Sequence, residues 1–60
     1  MDALRLTRTL LIVDDHESVL RTLDYVLSPR YRVLLAGSGK AALDLALTET
    51  VDAEIGRAHV

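Results

Sequence analysis

Thr9-Leu10-Leu11-Ile12-Val13 is a continuous, mostly branched apolar run that stops on two adjacent carboxylates, Asp14 and Asp15. It lacks the alternation of a strand with one wet face. A run of this kind suits a strand buried on both sides, as in a parallel sheet. Asp14-Asp15-His16-Glu17-Ser18 then supplies polar residues that favour turns and helix starts. The residues before the run, 1–8, read as a short mixed lead-in.

From Ser18 the apolar period changes. Val19, Leu20, Leu23, Val26 and Leu27 form one helical stripe, with Arg21, Thr22 and Asp24 turned outward. Tyr25 falls one position off that stripe and reads as a boundary residue. Ser28-Pro29 ends the helix, because proline disfavours helical geometry at the residue before it. Tyr31-Arg32-Val33-Leu34-Leu35 is a second strand candidate. Ala36-Gly37-Ser38-Gly39 is a turn, with Ser38 as N-cap. Ala42, Leu43, Ala46, Leu47 and Thr50 mark a second amphipathic helix. Strand, helix, strand, helix in this order implies an α/β sheet with parallel strands and right-handed crossovers.

The length sets a limit on this plan. At 60 residues the chain is one small domain at most. A chain of this mass buries only about 60% of its unfolded surface, so apolar burial and ordering entropy nearly cancel. Two strands cannot cover both of their faces and both helices, so the pattern looks like the first half of a larger sheet. Cysteine is absent, which excludes disulfides, thiolate metal sites and cysteine nucleophiles. Seven basic against nine acidic residues give no electrostatic footprint for nucleic acid. The one apolar run is too short to span a bilayer or to serve as a signal segment, so a cytoplasmic protein with no membrane partner is expected.

Asp14 and Asp15 carry the chemistry. They stand just past the carboxyl end of the first strand, the edge where open α/β sheets bind ligands. Two carboxylates about 4 Å apart repel by about 4 kcal/mol at an effective dielectric near 20. A divalent cation relieves that repulsion. Mg²⁺ favours one or two carboxylates together with waters and phosphate oxygens. Taken alone, the pair reads first as a polar turn whose charge suits a helix N-terminus, ahead of a cation site.

Leu11-Ile12-Val13-Asp14-Asp15-His16, the helix ending near Leu27, Tyr31-Arg32-Val33 and Gly37-Ser38-Gly39-Lys40-Ala41-Ala42-Leu43 together resemble the receiver domain of two-component response regulators. The likeness runs from about Thr9 to Asp52. It implies a flavodoxin-like fold, of which residues 9–53 would be the first βαβα half of a doubly wound parallel sheet, truncated. It also implies that Asp14 and Asp15 hold the Mg²⁺ of a phosphorelay site. The intact parent would take a phosphoryl group from a histidine kinase onto an Asp at the end of the third strand, and would signal to an output domain or effector.

Beyond Asp52 the likeness breaks. Val51-Asp52 stands for the family's Pro-Asp, and past the four residues that follow, the acceptor position falls on Arg57, which cannot take a phosphoryl group as a carboxylate does. The chain itself is therefore expected to be neither an enzyme nor a working phosphoacceptor. Residues 54–60, Glu-Ile-Gly-Arg-Ala-His-Val, resemble the translation of a sequencing-library adapter, GAG ATC GGA AGA GCA CAC GTC, whose next triplet is a stop. They are expected to be a non-native tail.

A different class of function rests on Gly37-x-Gly39-x-x-Ala42, the loose form of a dinucleotide-binding turn between a strand and a helix. The acidic residue expected about 20 positions on is missing. Gly39-Lys40 makes no Walker motif, since Ala41 replaces Ser/Thr and Leu34 stands where the first Gly belongs. Ser18 and Ser38 are expected to cap helices, and Arg5, Arg8, Arg30 and Arg32 to be solvated. His16 reads as an exposed residue near the helix start, and a metal role for it or for His59 is not expected.

Overall fold

The computed structural model describes residues 7–56. Arg5, Arg57, His59 and the end of the expected tail lie outside the described residues. The order is β1 (Thr9–Val13), α1 (Glu17–Leu27), β2 (Arg32–Ala36), α2 (Gly39–Thr48) and β3 (Ala53–Gly56). The three strands form one parallel sheet in the order β2-β1-β3. All of β1 is buried, as its unbroken apolar composition requires of a central strand. Each of its four aliphatic side chains contributes about 1.5–3 kcal/mol by leaving water.

The chain crosses from β1 to β2 on one side and from β2 back past β1 to β3 on the other. Right-handed crossovers then set α1 and α2 on opposite faces of the sheet. The register agrees. Leu11 and Val13 form a core with Ala36 and Ala42, and Leu34, Ala41, Leu45 and Val51 pack against it, on the α2 face. Leu10 and Ile12 point the other way, toward α1. There Ile12, Val19, Leu23 and Ile55 line an apolar groove.

Local chemistry fixes the element ends. The α1 helix stops at Leu27, and the Ser28 N–H bonds back to the Asp24 carbonyl just before Pro29. Ser38 caps α2, its hydroxyl accepting from the Ala41 N–H at 3.1 Å. Ser18 does not cap α1. The helix begins one residue earlier, His16 holds the N-cap position, and the Ser18 carbonyl accepts from the Thr22 hydroxyl. Glu17 in the first turn suits the helix dipole.

Several expectations about the helix faces need correction. In α2 the inward side chains are Ala41, Ala42 and Leu45, whereas Leu43, Ala46 and Leu47 are exposed, and Thr50 lies past the helix end. The cause is composition. Polar residues in α2 follow the single line Lys40, Asp44, Thr48, so the rest of the helix is apolar and offers two candidate faces. The sheet selects the side with the smaller residues. In α1, Leu20 is buried but Val26 and Tyr25 are exposed, because only β1 and β2 lie beneath that helix. Asp24 is half-buried rather than outward. Arg32 is not simply solvated: it pairs with Glu49 at 3.1 Å.

Ala53–Gly56 pairs with β1 along its whole length, although every residue of β3 is exposed. Neither helix packs on it. Its entry is fixed by a reciprocal bond pair: Thr9 N–H donates to Asp52 Oδ2 at 2.7 Å, and Asp52 N–H donates to the Thr9 carbonyl at 2.9 Å.

Candidate metal centre

Asp14 continues the β1–β2 ladder by one residue, its N–H donating to the Ala36 carbonyl at 3.0 Å. The backbone is thus rigid up to the point where the carboxylate begins, and only 5% of Asp14 is exposed. Its Oδ1 accepts from the His16 backbone N–H at 2.8 Å. This is an Asx turn, a side-chain copy of a backbone turn that folds residue 16 back over residue 14. The same turn starts α1, since the His16 carbonyl accepts from the N–H groups of Val19 and Leu20.

One consequence is that three donors converge. His16 Nδ1 lies 2.9 Å from Asp14 Oδ1 and 2.9 Å from Asp15 Oδ1. Among the described residues, Asp14, Asp15 and His16 form a group whose ligand atoms all lie within 4.8 Å of one another. Asp15 is 84% exposed and His16 63%, so the cluster opens to solvent above a buried base. Its oxygens are hard donors suited to Mg²⁺ or a similar divalent ion.

The cluster sits at the carboxyl end of β1, between β2 and β3. That is where the chain departs from the central strand toward opposite sides, the place where open α/β sheets hold ligands. The sequence points to Asp14 and Asp15, and the structure brings their carboxylates together at this rim. It also sets His16, exposed at the helix start as its sequence position suggests, against both carboxylates, although no metal role is expected of it from the sequence. The signal for that contact was its position two residues after an Asp at a strand end, the spacing of an Asx turn.

Gly37 and Gly39 lie elsewhere. They follow β2, an edge strand, one strand away from that switch point. Neither has a positive φ, and a Cβ on either would meet nothing within 4 Å. The fold itself therefore sets no demand for glycine at these positions. At the opposite end of the sheet, Thr9, Arg32, Thr48, Glu49 and Asp52 line a polar pocket, in which the Arg32 charge is already matched by Glu49.

No described helix is long and apolar enough to cross a membrane. No protein-family model, curated protein or solved structure matches the chain.

Proposed function

We propose that residues 9–53 are the N-terminal part of a response-regulator receiver domain, and that Asp14 and Asp15 are the carboxylates that seat its Mg²⁺. The observation that carries this reading is the place of the pair. It ends the central strand of a parallel sheet ordered β2-β1-β3, the strand order with which flavodoxin-like sheets begin. The likeness of the strand-end acid pair, the helix that follows it and the Gly-Ser-Gly-Lys turn supports the same family.

In the parent, a bound Mg²⁺ would neutralise oxygens of the incoming phosphoryl group, since catalysis of this transfer is chiefly positioning and charge stabilisation. The residues of this chain prepare for that. The β1–β2 ladder fixes Asp14, the Asx turn sets His16 over it, and Asp15 faces solvent, from which ion and phosphoryl donor arrive. Arg57 stands at the acceptor position, so this chain receives no phosphoryl group and relays no signal. The kinase and the output domain or effector are partners of the parent.

Uncovered apolar surface favours a larger parent sheet. Ile55 on β3, Leu43 and Leu47 on α2, and Val26 on α1 are each 45% or more exposed, side chains that further elements of a larger sheet would cover.

Two measurements test the proposal. Millimolar Mg²⁺ should shift the amide resonances of Asp14, Asp15 and His16, and Asp15→Asn should remove the response. Unmoved resonances in the native chain overturn it. The coding DNA tests the tail: codons 54–60 other than GAG ATC GGA AGA GCA CAC GTC would make those residues native sequence.

A further inference from the structure

We propose that the outer edge of β3 pairs with the same edge of a second copy of this chain, antiparallel about a two-fold axis centred on Ile55, so that two three-stranded sheets join into one. The basis is the parity of the backbone. The Asp52 N–H donates to the Thr9 carbonyl of β1, and successive strand residues turn their peptide groups to opposite sides. Glu54 and Gly56 therefore turn their N–H and C=O groups toward β1, whereas Ala53 and Ile55 turn theirs along the open edge. Ile55 thus holds a donor and an acceptor on the side where the sheet ends.

A two-fold axis normal to the sheet sets the residue on which it is centred opposite its own counterpart. Centred on Ile55, it makes a hydrogen-bonded pair in which the two residues exchange both N–H···O=C bonds. Their side chains then meet on the α1 face, beside the apolar groove lined by Ile12, Val19 and Leu23. Ile55 is 45% exposed and gains an apolar neighbour there. On the α2 face Glu54 falls opposite Gly56 of the second copy and meets no charge. Centred on Ala53, the axis would instead set the Asp52 carboxylate opposite Glu54 of the second copy, a like-charge pair.

The edge is unguarded. Neither helix packs on β3, and the strand carries no proline or lysine to discourage pairing. The β2 edge differs: α1 and α2 both pack against that strand, and Pro29 and Arg30 lead into it. Area agrees with a partner of this kind. The chain exposes 4635 Å², whereas a compact chain of its mass exposes about 3,900 Å². The surplus of about 700 Å² approaches the roughly 800 Å² that one partner gives to a standard interface. The inference concerns this chain alone and stands whether or not residues 54–60 are native.

Sedimentation of the full chain from micromolar to millimolar concentration tests it. The mass should rise from one copy toward two and stop there. Methylating the Ile55 nitrogen by chemical synthesis removes only the outward N–H. It should weaken dimerisation by about tenfold or more, since two hydrogen bonds are lost per dimer. Ile55→Lys sets two like charges opposite each other and should leave one copy at every concentration. Circular dichroism in dilute solution checks that each altered chain keeps its helices. Weakened dimerisation of the methylated chain with its helices intact supports the inference, whatever becomes of Ile55→Lys. A native chain that stays single at millimolar concentration, assembly that grows past two copies, or a dimer indifferent to methylation overturns it. Loss of the helices on methylation would place that N–H inside the monomer and overturns it too.

Discussion

Gly56 and Val13 are register partners on β3 and β1, and a Cβ on Gly56 would lie 2.5 Å from the Val13 carbonyl oxygen and 2.8 Å from the Val13 Cβ. Val13 belongs to the buried core, so neither atom yields cheaply. Gly56→Ala should therefore push the end of β3 off the sheet. Overpacking of this kind costs about 1–3 kcal/mol. Because β3 carries little burial of its own, the loss should stay local. Amide exchange at residues 53–56 should accelerate while the β1–β2 pairing keeps its protection. Unchanged exchange in β3 would count against the pairing of Gly56 with Val13.

Asp52 closes the other end of the same strand pair. Its carboxylate accepts from the Thr9 N–H, and its own N–H returns a bond to the Thr9 carbonyl. Thr9 is buried, so removing the acceptor leaves a buried donor without a partner. Asp52→Ala should cost about 1–3 kcal/mol in denaturant unfolding. Asp52→Asn keeps an acceptor oxygen and should recover part of the loss. Equal destabilisation by both variants would show that the charge, not the hydrogen bond, matters there.

At α2 the helix start separates two residue types that share one turn. Ser38→Ala removes the only side-chain cap of the two described helices and should cost about 1 kcal/mol. Gly37→Ala and Gly39→Ala should instead be neutral or stabilising by about 0.4–1 kcal/mol, because both backbones are compatible with alanine and space is open. Urea midpoints of the three variants check the opposite signs. A stability loss in the glycine variants would reveal a constraint absent from the fold.

The sequence was most readable where one physical rule acts alone. An unbroken aliphatic run has no dry alternative to the middle of a sheet, and β1 is there. Pro29 and Ser38 each act on their own backbone, so the helix ends follow them closely. Legibility failed in α2, where Leu43 and Leu47 lost the inward face to Ala41, Ala42 and Leu45. A helix apolar on most sides carries no mark of which side the sheet takes. It failed again at His16, whose approach to Asp14 and Asp15 depends on a turn that forms through a side chain. Val26 and Ile55 illustrate a third limit. Periodicity reports a face that wants a partner, and the described residues contain none for it.

The acid pair divides into one residue that builds the turn and one that does not, and this gives the most discriminating experiment. Asp14 is buried, prolongs the β1–β2 ladder and accepts the His16 N–H. Asp14→Ala should therefore lose both cation affinity and stability, the latter by about 1–3 kcal/mol for the lost buried acceptor. Asp15 is mostly in water, and its carboxylate meets the exposed His16 ring. Asp15→Ala should leave stability within about 0.5 kcal/mol of the native chain. It should nevertheless abolish the Mg²⁺ response, because one carboxylate with one exposed imidazole is a poor seat for a hard ion. Denaturant unfolding and Mg²⁺ titration on the same samples separate the two effects. If Asp15→Ala binds Mg²⁺ as the native chain does, the pair is only the polar start of α1 and seats no cation.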